Sequence, residues 1–258
     1  MTSKPLLTER DHKLLLQGKT DMITAEVVWR RFFPDRSLEA ARSAIRRLCG
    51  PDQESQFLQA ECLDRRRVYY RLTPLATRVL GISPKYAVPL KKLGRVRRYA
   101  LAWFIHAEYP GQRMIINLAD HRKRFGLTDD RLPRHPFYID RSSGQEKLGI
   151  ILIDHHAHVR HIVFKTLKPL GRCIRHGCFN HLIAAGCFVV AVLTSSASRQ
   201  RAIRMQLEDA IKRHFGYALS TMPAHTPHSQ RARIEVLVPV IPGMDAILAA
   251  PSNQEKTR

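Results

Sequence analysis

The sequence has few acidic residues for its number of basic ones. It carries 22 Asp and Glu against 43 Lys and Arg, which gives a net charge of +21 and a pI near 10.5. Because like charges repel in a compact chain, such an excess favours a polyanionic partner. Nucleic acid is the usual one, and an anionic membrane surface or an acidic protein is the alternative. Residues 1–100 hold 21 basic and 10 acidic residues, so both halves are expected to face the polyanion.

Long apolar runs are also missing. The longest, residues 187–193, is far shorter than the roughly 18 residues that span a bilayer, so no transmembrane helix and no membrane partner are predicted. Residues 1–7 are followed at once by charges, so we expect no secretory signal peptide. The 5 cysteines, an odd number at irregular spacing, favour reduced thiols. These features together predict a cytoplasmic protein.

Several motifs of enzymes and metal sites are absent from the sequence. It has no Gly-rich phosphate-binding loop and no Gly-x-Ser-x-Gly elbow. Aromatic residues make up only 7%, and no base-stacking motif occurs, which argues against an RNA-binding module. The cysteines and histidines between positions 173 and 187 lack the spacing of a zinc knuckle, so we expect these thiols to be buried in the core.

The first fifty residues predict three short helices. Each follows a Ser or Thr that can cap it: Thr8 before 9–17, Thr24 before 25–33 and Ser37 before 38–49. On the third helix the apolar residues that recur at helical spacing, and should be buried, are Leu38, Ala41, Ile45 and Leu48. The polar residues on its other side are Arg42, Ser43, Arg46 and Arg47. This arrangement is typical of a helix-turn-helix, whose last helix enters the DNA major groove.

A hairpin with a basic tip is predicted next. Residues 57–60 and 68–72 form its strands, and Thr73-Pro74 then caps a fourth helix over 75–80. The sequence therefore predicts a winged helix over residues 1–81 that binds double-stranded DNA. The predicted DNA contacts are those four polar residues of the third helix together with Arg65, Arg66, Arg67 and Arg71 of the hairpin. The same elements also build protein-interaction modules, and arginine runs are often only solvated faces.

This segment resembles the winged-helix region of plasmid-borne replication-relaxation proteins. The resemblance rests on residues 7–11, 41–48 and 70–76, which read LTERD, ARSAIRRL and YRLTPLA. These stretches span about 75 residues. The resemblance implies that a restriction-endonuclease-like α/β domain follows the winged helix. If the α/β domain is included, the resemblance extends over residues 1–216.

The rest of the chain predicts alternating strands and helices after a linker at 82–92. The predicted helices are 93–108, 169–185 and 199–215, the last capped by Ser198. The predicted strands are 114–118, 136–140, 148–154, 159–164, 187–193 and 234–239. The expected fold class is therefore α/β (α+β), with an N-terminal winged helix-turn-helix and a nuclease-like α/β domain over 93–240. Residues 241–258 are expected to form a flexible tail.

A nuclease of that fold needs carboxylates at strand ends and a nearby lysine. The carboxylates hold Mg²⁺ or Mn²⁺, and the lysine helps a water molecule attack the phosphate. The candidates are Asp140, Asp154 and Lys165, but the Glu-x-Lys element of the pattern is missing. Aspartates at strand ends are also common turn residues. A scaffold without catalysis and without a cofactor is therefore the favoured hypothesis, and a metal-dependent nuclease is the alternative.

Four histidines follow Asp154 closely. With strands predicted on both sides, these histidines lie in one hairpin, and alternation would place His156 and His158 on one face, where they could bind a transition metal. A polar turn that touches phosphate explains the same residues without a metal. His156 and His158 are therefore retained only as weak metal candidates.

The sequence thus favours a sequence-specific double-stranded DNA-binding protein that controls transcription or replication, on a plasmid or other mobile element, without catalysis. A metal-dependent nuclease is one alternative. A non-enzymatic accessory subunit of a conjugation, transposition or defence complex is another, and RNA binding is a third. A homodimer or a protein partner in a nucleoprotein complex is compatible with each of these hypotheses.

Overall fold

The computed structural model describes residues 7–52, 55–127, 135–220 and 233–250. Contacts divide the chain into two compact units, each of which mixes helices with strands. Unit 1 consists of Met1–Pro110 and Gly243–Arg258, and unit 2 of Gly111–Pro242. The predicted α/β class is confirmed at this level. Within the described ranges, no helix combines the length and the apolar character needed to cross a membrane.

Unit 1 opens with three helices and a two-stranded antiparallel hairpin. Its first elements are α1 (Glu9–Thr20), α2 (Ala25–Phe32), α3 (Leu38–Cys49), β1 (Leu58–Cys62), β2 (Val68–Leu72) and α4 (Pro74–Val79). A 3-10 turn over Pro84–Ala87, then α5 (Lys92–Ala102), a π-helical turn over Trp103–Ala107 and α10 (Met244–Ala249) complete it. The backbone N–H of Tyr70 also donates to the carbonyl of Ile23 at 2.9 Å, which ties the segment before α2 to the hairpin.

The four N-terminal caps predicted for this unit are confirmed. The side-chain oxygens of Thr8, Thr24, Ser37 and Thr73 each accept a hydrogen bond from the backbone N–H three residues later. Each cap satisfies one of the backbone donors left unpaired at a helix start. Thr8 and Asp11 form a reciprocal capping box, because the carboxylate of Asp11 accepts from the backbone N–H of Thr8 at 3.0 Å.

The boundary between the units lies at residue 110 rather than in the predicted linker. Residues 82–92 are packed on the hairpin: the N–H of Leu90 donates to the hydroxyl of Tyr69 at 3.2 Å. Arg95 of α5 is 2% exposed and donates to the carbonyl of Cys62 at 2.8 Å. The helix that was expected to open the second domain therefore belongs to unit 1.

The flexible tail predicted for residues 241–258 also differs from the structure over the residues that are described, 241–250. Residues 244–249 form α10, which packs on α5, and both Met244 and Ile247 are fully buried. A short apolar segment after Gly243 thus forms a helix because it can bury two large side chains against an existing one. Residues 251–258 of that predicted tail lie outside the described residues.

Unit 2 is built on a five-stranded sheet with the order β3-β4-β5-β6-β7. The strands are β3 (Arg113–Ile116), β4 (Phe137–Asp140), β5 (Lys147–Ile153), β6 (Phe188–Leu193) and β7 (Ile234–Leu237). The first three pair antiparallel, and β5, β6 and β7 run parallel. The helices are α6 (Leu118–His121), α7 (Val159–Arg175), α8 (Asn180–Ala184) and α9 (Ala197–Ser220). Because parallel neighbours need crossovers, α7 and α8 connect β5 to β6, and α9 lies between β6 and β7.

The predicted strand at 159–164 is wrong, because these residues form the start of α7. Val159 and Ile162 to Phe164 are β-branched or aromatic, which favours a strand, and Pro169 suggested a helix start. Instead Pro169 lies inside α7. The side chains that α7 buries, Ile162, Val163, Thr166, Leu170, Cys173 and Ile174, recur at helical spacing. Burial against the sheet decides the structure of this segment.

Two further boundaries in unit 2 differ from the prediction. The helix predicted over 169–185 is interrupted after Arg175 and resumes as α8 at Asn180. The long helix α9 begins at Ala197, so Ser198 lies inside it and does not cap it. The hydroxyl of Ser196 instead accepts from the backbone N–H of Arg199 at 3.4 Å.

Candidate nucleic-acid interface

The outer face of α3 is polar and solvent-exposed, as its spacing predicts. The residues on this face are Glu39, Arg42, Ser43, Arg46 and Arg47, all exposed. The opposite face is closed, because Ala41, Ile45 and Leu48 are each no more than 2% exposed and pack in the core of unit 1. One side of α3 therefore fixes the helix to the unit, and the other side is available to a partner.

A groove brings this helix face together with the hairpin. It has a volume of about 380 Å³ and is lined by Ala25, Glu26, Glu39, Arg42, Arg46, Arg66, Arg67, Val68 and Tyr70. We refer to it as the α3–hairpin groove. Four of its nine lining residues are arginines and two are glutamates. The groove therefore combines predicted contacts of α3 and of the hairpin that lie at least twenty positions apart in the sequence.

The α3 arginines in this groove are held only by surface contacts. The carboxylate of Glu39 accepts from Arg42 at 3.5 Å and also from Arg46, which donates to the hydroxyl of Ser43 at 3.3 Å. Exposed ion pairs of this kind contribute little, about 0–1 kcal/mol. A phosphate or a base edge can therefore replace Glu39 as the partner of these guanidinium groups at small cost.

Arg47 has a different environment from its neighbours. Its guanidinium donates at 2.5 Å to the carboxylate of Asp11, which is 2% exposed in α1. Burial raises the pKa of Asp11, but hydrogen bonds from Thr8 and Arg47 outweigh that effect, so its pKa lies below the ordinary value. Arg47 therefore also helps to dock α3 on α1.

The tip of the hairpin is organised by the carboxylate of Asp64. It accepts from the backbone N–H groups of Arg66 at 2.8 Å and of Arg67 at 2.9 Å. Burial raises its pKa, but these hydrogen bonds and the Arg67 guanidinium bring the pKa below its ordinary value. The turn leaves the side chains of Arg65 and Arg66 exposed. These are the two hairpin arginines that a phosphate can reach most easily.

Two of the predicted DNA contacts are engaged inside unit 1. Arg67 donates to Asp64 at 2.7 Å, to the hydroxyl of Tyr99 at 2.7 Å and to the carbonyl of Gly243. Burial raises the pKa of Tyr99 to about 12, although the neighbouring Arg67 lowers it in part. The main role of Arg67 is therefore structural, and its role as a surface cation is secondary.

Arg71 is enclosed in the same way. Its guanidinium donates to Glu61 at 2.7 Å, to Gln59 at 2.6 Å and to the carbonyl of Ala87 at 2.6 Å. Its side chain is only 15% exposed. Arg71 thus joins β1, β2 and the 3-10 turn, and it is not well placed to contact a ligand.

A second basic groove on unit 1 was not predicted from the sequence. It has a volume of about 920 Å³, and the basic side chains among its lining residues are Arg10, Lys13, Arg31, Arg36 and Arg47. The acidic ones are Glu9 and Asp11. We refer to it as the α1–α2 groove. Arg10 and Lys13 lie three residues apart on α1, which places them on one side, and this spacing was the available sequence signal.

The nuclease candidates of unit 2 do not converge. Asp140 pairs with Lys147 at one end of the antiparallel β4–β5 ladder, whereas Asp154 follows the other end of β5. The two are about 23 Å apart at 3.3 Å per residue. Lys165 lies on an exposed part of α7. Asp140 and Asp154 do end neighbouring strands, but the antiparallel pairing places them at opposite ends of the two strands.

Each of these aspartates is instead matched with an arginine. Asp140 accepts from Arg113 at 2.9 Å and from the backbone N–H of Ser142 at 2.8 Å. Burial raises the pKa of Asp140, but these partners outweigh it and leave the pKa below the ordinary value. Asp154 is completely buried and accepts from Arg199 at 2.8 Å and from Thr194 at 3.1 Å. A metal ion would have to displace a guanidinium group at either carboxylate.

The histidine candidates also lie apart from any strand. His158 immediately precedes α7, and His156 has a positive φ of 61°. The His156 Nε2 lies 2.7 Å from the hydroxyl of Ser195, which is 7% exposed after β6. Within the described ranges, no group of three or more His, Cys, Asp or Glu side chains is arranged to hold a metal ion.

The cysteine prediction agrees with the structure. Cys173, Cys178 and Cys187 are buried, and none of the five cysteines, all of which are described, forms a disulfide. Burial raises the pKa of the Cys187 thiol, which keeps it protonated at neutral pH.

Comparisons with protein families, with curated proteins and with solved structures give no match for this chain.

Proposed function

We propose that this chain is a sequence-specific double-stranded DNA-binding protein, and that unit 1 is a winged helix whose α3 reads the major groove. One observation carries the proposal: the exposed Arg42 and Arg46 of α3 and the exposed Arg66 of the hairpin tip line one groove. Two separate segments of the same charge share one concave surface. Binding of a single polyanion explains this arrangement better than two unrelated solvated faces do.

The order of elements in unit 1 supports the winged-helix proposal. Three helices precede an antiparallel hairpin, and the last of the three exposes a polar face. In such a fold the exposed helix enters the major groove, where arginine can donate two hydrogen bonds to guanine. Arg42 and Arg46 are the residues proposed for this readout. Arg65 and Arg66 at the hairpin tip are proposed to contact phosphates, which fix the register of the protein on the duplex.

The proposed biological role is control of transcription or replication, on a plasmid or other mobile element. It follows the resemblance of residues 7–11, 41–48 and 70–76 to replication-relaxation proteins. We also propose that unit 2 is a nuclease-like scaffold. In unit 2 an antiparallel meander of β3, β4 and β5 precedes two parallel crossovers. The restriction-endonuclease-like core expected from the resemblance begins with the same order of elements, which supports this proposal.

Catalysis is not part of the proposal. The two candidate carboxylates lie at opposite ends of β5, and each accepts hydrogen bonds from an arginine. A two-carboxylate metal site needs both groups within a few ångströms of one ion. The geometry of unit 2 therefore favours a binding or assembly role over hydrolysis.

The experiment is a salt series of fluorescence anisotropy with a mixed-sequence duplex and the full chain. The test variant changes Arg42, Arg46 and Arg66 to Ala. A mixed-sequence duplex is bound non-specifically, through its phosphates. Because each lost cation lowers the number of counterions released on binding by about 0.9, the slope of log K against log salt should fall by about 3.

The matched control changes Arg78, Lys85 and Lys91 to Ala. These three cations are exposed in unit 1 and do not line the α3–hairpin groove. The control has the same net charge as the test variant, so general electrostatic attraction should affect both equally. If both variants lose the same affinity, or if the wild type does not bind the duplex at moderate salt, the proposal fails.

A further inference from the structure

The outward side of α7 in unit 2 carries a continuous basic stripe. Its exposed cations are Arg160, Lys165, Lys168, Arg172 and Arg175, and the helix sequence contains no Asp or Glu. At 100° per residue these positions fall within one arc of about 140°. From Arg160 to Arg175 the stripe is about 22 Å long at 1.5 Å per residue. We refer to it, together with Phe164, as the α7 face.

The charge of the α7 face is not balanced by its surroundings. Within the described ranges, none of these five cations forms an ion pair with a carboxylate. The neighbouring helix α9, which packs beside α7, differs in this respect. There Arg204 pairs with Glu208 at 3.7 Å and Arg213 pairs with Asp209. Solvation explains an alternating charge pattern such as that of α9, but a stripe of one sign favours an anionic partner.

An aromatic ring lies in the middle of the stripe. The side chain of Phe164 is 59% exposed, and the ammonium group of Lys168 lies 5.9 Å from its ring centroid. An exposed phenylalanine loses the benefit of apolar burial unless a partner covers it. Proteins that bind single strands combine cations that contact the sugar-phosphate backbone with aromatic rings between them. An unpaired base can stack on such a ring. A duplex keeps its bases stacked internally and would leave Phe164 uncovered.

We propose that the α7 face binds a nucleic-acid strand with unpaired bases. The cations contact successive phosphates, and Phe164 stacks against one base. The α7 face is separate from the duplex site proposed on unit 1. The proposal for the α7 face does not depend on that duplex site. A chain with both sites could hold duplex and single-stranded segments of the same nucleic acid.

The test measures the affinity of the full chain for a labelled mixed-sequence single strand and for the matching duplex. The background is the Arg42, Arg46 and Arg66 triple variant, which removes three of the four proposed duplex contacts. In this background Lys165, Lys168 and Arg172 are changed to Gln. We expect the salt slope for the single strand to fall by about 2, since each phosphate contact contributes about 0.7.

The charge-matched control changes Arg201, Arg204 and Arg213 of α9 to Gln. These residues are also exposed in unit 2, so the control loses the same net charge. We expect it to retain the single-strand affinity of the background protein. Equal losses in the α7 and α9 variants would overturn the proposal, because they would show that only net charge matters.

Phe164 supplies the second, independent readout. Phe164→Leu keeps the side chain apolar but removes the stacking face, and should weaken single-strand binding about 5- to 100-fold with little effect on the duplex. Phe164→Tyr keeps an aromatic face and should therefore retain the single-strand affinity that Phe164→Leu loses. If Phe164→Leu weakens both nucleic acids equally, or if the α7 cations are needed for vesicles containing phosphatidylserine but not for the single strand, the proposal is wrong.

Discussion

The guanidinium group of Arg67 lies against the backbone of Gly243 and donates a hydrogen bond to its carbonyl oxygen. Arg67 belongs to the hairpin tip, and Gly243 precedes α10, so this contact joins two segments of unit 1 that are far apart in the sequence. The φ of Gly243 is 71°, and a Cβ atom there would come within 2.1 Å of Arg67. One arginine of a basic triplet is thus committed to the fold, while its two neighbours remain on the surface.

This difference predicts separate effects for the three arginines. Arg67→Ala should lower the free energy of unfolding by about 2 kcal/mol, because it removes charge-assisted hydrogen bonds to Asp64 and Tyr99. The double variant of Arg65 and Arg66 to Ala should change stability by less than about 0.5 kcal/mol but weaken duplex binding. Urea unfolding and anisotropy measure the two quantities. Equal stability losses would contradict the structural assignment of Arg67.

A close approach between Gly149 and Tyr138 predicts a large cost for a small substitution. The two residues are direct partners across β4 and β5, and a Cβ atom on Gly149 would lie 2.0 Å from a ring carbon of Tyr138. Gly149→Ala should therefore destabilise the protein by about 1–3 kcal/mol, because a fully buried ring would have to shift to make room for the Cβ atom.

Gly216 provides the control for that substitution. It lies in α9, and a Cβ atom there would meet nothing within 4 Å. Gly216→Ala should be neutral or stabilise by up to about 1 kcal/mol, since alanine favours a helix. Thermal melting of the two variants compares them directly. Similar melting temperatures would mean that the Tyr138 ring does not cover Gly149.

The depressed pKa values of Asp11 and Asp140 predict acid sensitivity. Both carboxylates have a lower pKa in the folded chain than in the unfolded one, because hydrogen bonds and arginines stabilise the charged form more than burial penalises it. Their contribution to stability is therefore complete above the unfolded pKa of about 3.9 and is lost as pH falls through the folded pKa.

Urea unfolding across the acid range measures this effect. Asp140→Asn should reduce the dependence of stability on pH below about 4, because one titrating group is removed. Asp209→Asn removes an exposed carboxylate of unit 2 in the same way and serves as the matched control for the loss of one acidic group. If the Asp140 variant keeps the full acid slope, its carboxylate is not one of the groups responsible.

The pair of the buried Asp154 and the partly exposed Arg199 predicts a structural effect and no metal dependence. Asp154→Asn should destabilise the protein by about 1–3 kcal/mol, since it leaves a guanidinium group without its charged partner. Adding Mg²⁺ or Mn²⁺ to the wild type should not raise its melting temperature, because the candidate carboxylates do not share a site. A clear metal-dependent rise, lost in Asp154→Asn, would favour the nuclease alternative.

Local features of unit 1 could be predicted because their causes are local. The caps at Thr8, Thr24, Ser37 and Thr73 each bond to a backbone group three residues away, so the sequence contains both partners. The bounds of α3 and of β2 were also predicted correctly. The exposed stripe of α3 also follows from spacing alone.

The parts that could not be predicted depend on long-range contacts. Residues 159–164 have the composition of a strand, but they form a helix because α7 buries one face in unit 2. Asp140 is the last residue of β4 and Asp154 directly follows β5, but only the antiparallel register places them at opposite ends. Arg67 and Arg95 look like solvated cations in the sequence, and distant carbonyl groups make them internal.

The sequence by itself therefore determined the excess of positive charge, the helix starts and the polar stripe of α3, since each depends on composition or on neighbours within one helical turn. Only the tertiary structure decided which arginines remain on the surface, where the two units divide, and whether the candidate carboxylates meet. These properties depend on contacts between residues that are tens of positions apart, and chain packing selects them after the local elements are in place.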